Sequence, residues 1–146
     1  MKQILCVIDF TESSGRVLDL AAIIAHACRA HLIVLFPYRL IDYSHRGDMS
    51  SLKLKLESEA REKFFNLKKN LPHKEYLTCE FQAEIGFVAD RISAHAKKNN
   101  IEMVIIGQQQ TESGNDVKSF NLNHLIANSK LPFVIVPAEI TTEANV

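Results

Sequence analysis

Two places in the 146-residue chain hold residues of a kind and spacing that could handle a ligand. The first is Asp9, a carboxylate that closes the apolar run Ile4-Leu-Cys-Val-Ile8 and is followed by Thr11, Ser13 and Ser14. The second runs from Met103 to Pro137. It joins an apolar run ending at Gly107, a polar segment from Gln108 to Ser119, a short periodic segment from Phe120 and a closing apolar run. A glycine at a strand end lets the backbone approach a phosphate, and free N–H groups at a following helix start give positive potential. Whether this stretch holds a phosphate decides most of what the chain could do.

Other chemistries find little support. The histidines at 26, 31, 45, 73, 95 and 124 show no H-x3-H or H-E-x-x-H spacing, and only His124 falls near the second stretch. Cys6, Cys28 and Cys79 are odd in number, lack a C-x-x-C and read as small buried hydrophobes. Ser13 and Ser14 lack the G-x-S-x-G elbow of hydrolases. No base, nucleophile or metal partner lies near Asp9, so it reads as an acceptor for the next helix start. Gln108 to Asp116 reads as a solvated loop. No catalytic set and no metal site is expected.

The elements that must position these residues follow from periodicity. Ile4–Ile8 and His31–Phe36 are continuous apolar runs, as in strands buried on both faces, and Pro37 is read as the stop of the second. Val17, Leu18, Ala21, Ala22, Ile24, Ala25 and Cys28 recur at helical spacing over 12–30, with Thr11 or Ser13 as N-cap. The segment from Tyr38 to Ser51 is irregular. A surface helix spans about 50–70, closed by Pro72, and Tyr76–Ala83 alternates like an edge strand. Gly86 opens a helix that ends at Asn99-Asn100 in a left-handed cap. A strand over 101–106, a helix over 120–129 and the strand Phe133–Val136 complete the chain.

The order βαβαβαβαβ predicts an α/β fold, a single open five-stranded parallel sheet in the order 3-2-1-4-5 with helices on both faces. Its switch point falls between strands 1 and 4, beside Asp9 and Gly107, where ligands bind in such sheets. Residues 1–138 are expected to form the domain and 139–146 a frayed tail. Lys+Arg and Asp+Glu both number 17, which offers no basic excess for nucleic acid or a membrane surface. No apolar run approaches the roughly 20 residues that span a bilayer, and the start is too soon charged for a signal peptide, so a cytoplasmic protein is expected.

Four pieces resemble one family. Ile4-Leu-Cys-Val-Ile-Asp9-Phe10-Thr11-Glu12-Ser13-Ser14 is similar to the opening of universal stress protein domains, a strand followed by D-x-S-x-x-S. Gly86-Phe-Val-Ala-Asp-Arg-Ile92, Ile101-Glu-Met-Val-Ile-Ile-Gly107 and Leu131-Pro-Phe-Val-Ile-Val-Pro137 resemble later segments, in the right order and over nearly the whole chain. The resemblance implies a Rossmann-like, adenine nucleotide alpha hydrolase-like fold. Members that bind ATP carry G-x2-G-x9-G-[ST]. Gly107 matches the first glycine, Gln110 stands at the second, and Phe120 and Asn121 stand at the final pair. Phe120 is expected to fill phosphate space, and Asn121 to cap the last helix. Pro37 takes the place of a valine whose main chain contacts adenine, and it has no N–H.

The resemblance therefore implies the branch without ATP: a dimeric stress or regulatory module acting through protein contacts, with no cofactor. The alternative keeps a nucleotide, ATP or AMP with magnesium, on a degenerate site of Asp9, Gly107, Gln110 and Asn121, as a binder or weak hydrolase. The apolar last strand, Phe133, Val134, Ile135 and Val136, would be an exposed edge. Universal stress proteins pair it with its copy, which implies a twofold homodimer.

Overall fold

The structure is a computed structural model that describes residues 2–40, 49–98, 100–112 and 120–138. The segment with Gly47, the cap at Asn99, the loop from 113 to 119 and the tail from 139 lie outside the described residues.

Strand β1 (Gln3–Val7) lies at the centre of a five-stranded parallel sheet of order β3-β2-β1-β4-β5. Its neighbours are β2 (His31–Tyr38) and β4 (Ile101–Gly107), and Cys6 sits between Val34 and Ile105. β3 (Cys79–Ile85) and β5 (Phe133–Val136) form the edges. The apolar run of β1 is explained by its two covered faces. Ile4, Cys6 and Ile8 point to the side of α1 (Ser14–Cys28) and α2 (Met49–Lys68), where they meet Leu18, Ala21 and Phe64. Leu5 and Val7 point to the side of α3 (Val88–Lys98) and α5 (Leu122–Ser129), where they meet Ile92 and Leu125. Leu5, Cys6 and Val7 are fully buried. Burying a side chain of this size stabilises by about 1.5–3 kcal/mol relative to exposure, which is why β1 carries no polar residue after Gln3.

Three local readings change. The chain enters one further helical turn, α4 (Gln108–Thr111), directly after Gly107, where composition suggests only loop. Cys28 is exposed at the end of α1, while Cys6 is buried and Cys79 half-buried. Burial pushes the Cys6 thiol well above its usual range and pushes Cys79 up to about 11. Among the described residues, no helix is long and apolar enough to cross a membrane, and no group of three or more His, Cys, Asp or Glu is placed to hold a metal ion.

The third change concerns Pro37, which lies inside β2 rather than beyond its end. The N–H groups of alternate β2 residues point to β1: that of His31 donates to the Lys2 carbonyl, and the Ile8 N–H donates back to Leu35. By this repeat the next rung would run from residue 37 to the Ile8 carbonyl. Proline cannot donate it, so the β1–β2 ladder ends there. The β2–β3 ladder uses the other residues and continues to Tyr38 and Ile85. Replacing Pro37→Val should therefore add one rung. The amide of residue 37 is expected to be protected in hydrogen exchange, with a gain of about 0.5–1.5 kcal/mol in urea unfolding. An amide exchanging as fast as an exposed loop would contradict this account.

Candidate functional site

The carboxyl ends of β1 and β4 meet at the reversal in strand order, as the alternating pattern requires. Asp9 is held there by the start of α1. Its Oδ1 accepts from the Thr11 N–H at 3.0 Å, the Thr11 hydroxyl at 2.6 Å and the Ser14 hydroxyl at 3.1 Å. The turn that allows this puts Phe10 in the left-handed region, at φ 59°. That costs a β-carbon-bearing residue about 1–2 kcal/mol. Packing offsets the cost: the Phe10 ring meets Phe36 edge-on at 4.9 Å and Phe81 at 6.0 Å.

Gly107 is buried with an ordinary extended backbone, at φ −75°. Its lack of a side chain serves close approach, since a Cβ would sit 3.3 Å from the Val17 side chain. α4 then directs Gln109 back across the cleft, where its Oε1 accepts from the Ser13 hydroxyl at 2.9 Å and lies 3.3 Å from that of Thr11. Thr11 has a single hydroxyl proton, and the shorter, charge-assisted bond to Asp9 takes it. Ser13 is therefore the donor that ties α1 to α4. Ser13 stands at the N-cap of α1 but makes no capping bond with its side chain. Gln108 adds a second tie, accepting from the Ala138 N–H at 3.1 Å while donating to Glu112 at 3.1 Å.

The four sequence-predicted residues thus have different fates. Asp9 and Gly107 stand at the ends of the neighbouring strands β1 and β4, whose following segments are joined through Thr11, Ser13 and Gln109. Gln110 is buried within α4. Asn121 is the N-cap of α5, and its side chain accepts from the His124 N–H at 3.0 Å. Phe120 packs against the Ile92 and Leu125 cluster and lines a cavity of about 260 Å³ between the first turns of α3 and α5. The side chain that crosses the cleft is Gln109, one residue away from the position that the motif comparison singles out. A glutamine run after a strand glycine holds no signal for this, because the partner hydroxyls lie almost a hundred residues earlier in the chain.

Three polar groups off the cleft also escape sequence reading. The His95 ring is buried and lies 3.0 Å from the Glu84 carboxylate, which Arg91 approaches at 3.5 Å. Bonds from His31 and Gln82 hold Glu80 below the usual carboxylate range. At the end of β2, Tyr38 donates to Glu57 of α2, and burial followed by that glutamate pushes its phenol up.

The comparisons agree on one family. The family model described as the universal stress protein family matches residues 1–137. Among solved structures, a universal stress protein family member from Burkholderia pseudomallei superposes with a TM-score of 0.69 at 17% identity, covering 93% of this chain and 96% of the other. A universal stress protein in complex with cAMP gives 0.62 at 19%, covering 93% and 96%. One from Archaeoglobus fulgidus in complex with dAMP gives 0.61 at 17%, covering 93% and 97%. No curated protein sequence matches the chain.

The Gln109–Ser13 tie is open to a double-mutant cycle. Gln109→Ala and Ser13→Ala should each destabilise, with a coupling energy of about 0.5–1.5 kcal/mol from urea midpoints. Strictly additive effects would remove the tie from the account of the cleft.

Proposed function

The chain belongs to the universal stress protein family, and on that premise we propose that it is a dimeric, non-catalytic regulatory module acting through protein contacts, without ATP. The observation that carries this reading is the Gln109 bridge. It lies where β4 hands over to α4, across the cleft that a triphosphate would need, and its acceptor is already used by Ser13. Two further features support it. Asp9 spends one carboxylate oxygen on three donors of its own loop, and Pro37 offers no N–H beside the end of β1.

The dimer rests on the contrast between the two sheet edges. β3 carries Glu80, Gln82 and Glu84 along one face, with charges and histidine partners that discourage a further strand. β5 is four apolar residues, Phe133 to Val136, with an unpaired outer edge. A copy of β5 related by a twofold axis would satisfy that edge.

A second reading keeps a nucleotide in the cleft, with Asp9, Gly107 and the amides near Asn121 as its contacts. Phe120 favours it, because its ring packs on the α3–α5 side against the Ile92 and Leu125 cluster. The relatives described in complex with cAMP and dAMP share the fold. Calorimetry separates the readings. Titration with ATP plus magnesium and with AMP should give no micromolar binding, and clear binding of either would overturn the first reading. Gel filtration tests the dimer. Ile135→Asp should elute as a monomer with an unchanged circular dichroism spectrum. Elution together with a dimeric parent protein would move the interface elsewhere.

A further inference from the structure

The end of the molecule away from the cleft has a chemistry of its own. In a parallel sheet every crossover helix runs back against the strands, so all helix C-termini gather beside the strand starts. In this chain most of them end in cations. Arg29 caps α1, while Lys68 and Lys69 close α2 and Lys74 lies in the turn to β3. Lys97 and Lys98 finish α3, and Lys130 caps α5. Against them stand Glu75, Glu80 and Glu102, and Glu80 is engaged by His31. A neutral total therefore conceals one cationic end. At the opposite end, where the strands finish, Asp9, Glu84, Asp90 and Glu112 are mixed with Arg16, Arg39, Lys53 and Arg91.

Helix dipoles favour cations in last turns, and Lys74 donates to the Lys69 carbonyl at 2.8 Å while Lys69 lies over the Phe65 ring, but neither accounts for the rings beside them. His26, in the last turn of α1, stacks on His73 with centroids 4.0 Å apart and planes within 10°. Tyr76 lies 6.0 Å from His26 and is 75% exposed. The backbone at His73 is left-handed, at φ 58°, a strained conformation for this residue. Beside the rings opens a cavity of about 390 Å³ lined by His26, Arg29, Tyr76 and Leu77, within the size range of small-ligand sites.

From this juxtaposition we propose that the helix-C-terminal end, centred on Arg29, Lys69, Lys74, His26, His73 and Tyr76, binds single-stranded nucleic acid. Exposed planar rings offer faces on which bases stack whatever their sequence, and the flanking cations meet the phosphates. An exposed stacking face beside an open cavity suits a base. An anionic membrane has no use for one, since it takes cations together with inserted apolar side chains.

Fluorescence anisotropy of labelled oligo-dT and oligo-U with the full chain tests this. Micromolar binding is expected, weakening roughly 10–100-fold between about 50 and 200 mM salt. Lys69→Glu with Lys74→Glu should weaken it at least about tenfold and flatten the salt dependence. Tyr76→Ala should weaken binding while leaving the salt slope unchanged, and Tyr76→Phe should restore it. Arg16→Glu, in the first turn of α1 at the other end, should change nothing, and a thermal melt of each variant separates lost binding from lost folding. No binding, equal loss from Arg16→Glu, or binding only to phosphatidylserine vesicles would each overturn the proposal.

Discussion

A strand covered on both faces must offer apolar side chains alternately up and down, and β1 does so without interruption from Ile4 to Ile8. Parallel pairing on both sides of β1 then dictates the rest of the molecule. Each connection has to return to the start of the next strand, and helices do this on whichever face remains uncovered. α1 and α2 take one face, α3 and α5 the other, and each lays down its own cluster of buried residues. The same constraint makes the two ends of the molecule unlike. One gathers strand ends, turns and helix starts, the other strand starts and helix ends.

At the first end, main-chain and side-chain details decide whether the fold's usual cleft stays open. Pro37 withholds the rung that would extend the β1–β2 ladder. Gly107 lets β4 come close to Val17. The chain then coils into α4 instead of looping outward, and that turn aims Gln109 at Ser13. Phe10 accepts a left-handed backbone because two aromatic neighbours, Phe36 and Phe81, hold its ring, and Phe64 stacks on Phe81 at 4.8 Å. A strained turn thus holds Asp9 against the start of α1. None of these interactions is strong alone, but they share atoms: Thr11 bonds Asp9, Ser13 bonds Gln109, and the two hydroxyls lie 3.3 Å apart.

The two sheet edges differ in the side chains they carry. On β3 the residues facing α3 are polar and partnered by His31, His95 and Arg91. On β5 they are apolar and lean on the Ile106 and Leu125 cluster. The difference lies in side-chain chemistry, since both strands expose the same row of backbone groups.

Periodicity alone determined the alternation of strands and helices, the sheet order and the central place of β1, while the cap at Asn121 came from the family resemblance. Each depends on residues close together in the chain or on burial, which leaves a pattern. Element ends were less legible. β3 starts at Cys79 rather than Tyr76 because its register is set by pairing with Leu32, and β2 continues through Pro37 because its pairing with β3 uses the alternate N–H groups and needs none at residue 37. Only the tertiary structure decided that Gln109 reaches Ser13 while Phe120 packs on the α3–α5 side, and that Cys28 faces outward. Only the structure gathers cations from separate helices at one end of a neutral chain. The physical reason is common to all of these. Hydrogen bonds, close approaches and charge clusters join residues up to a hundred positions apart, and their meeting depends on the parallel sheet that brings them to the same end.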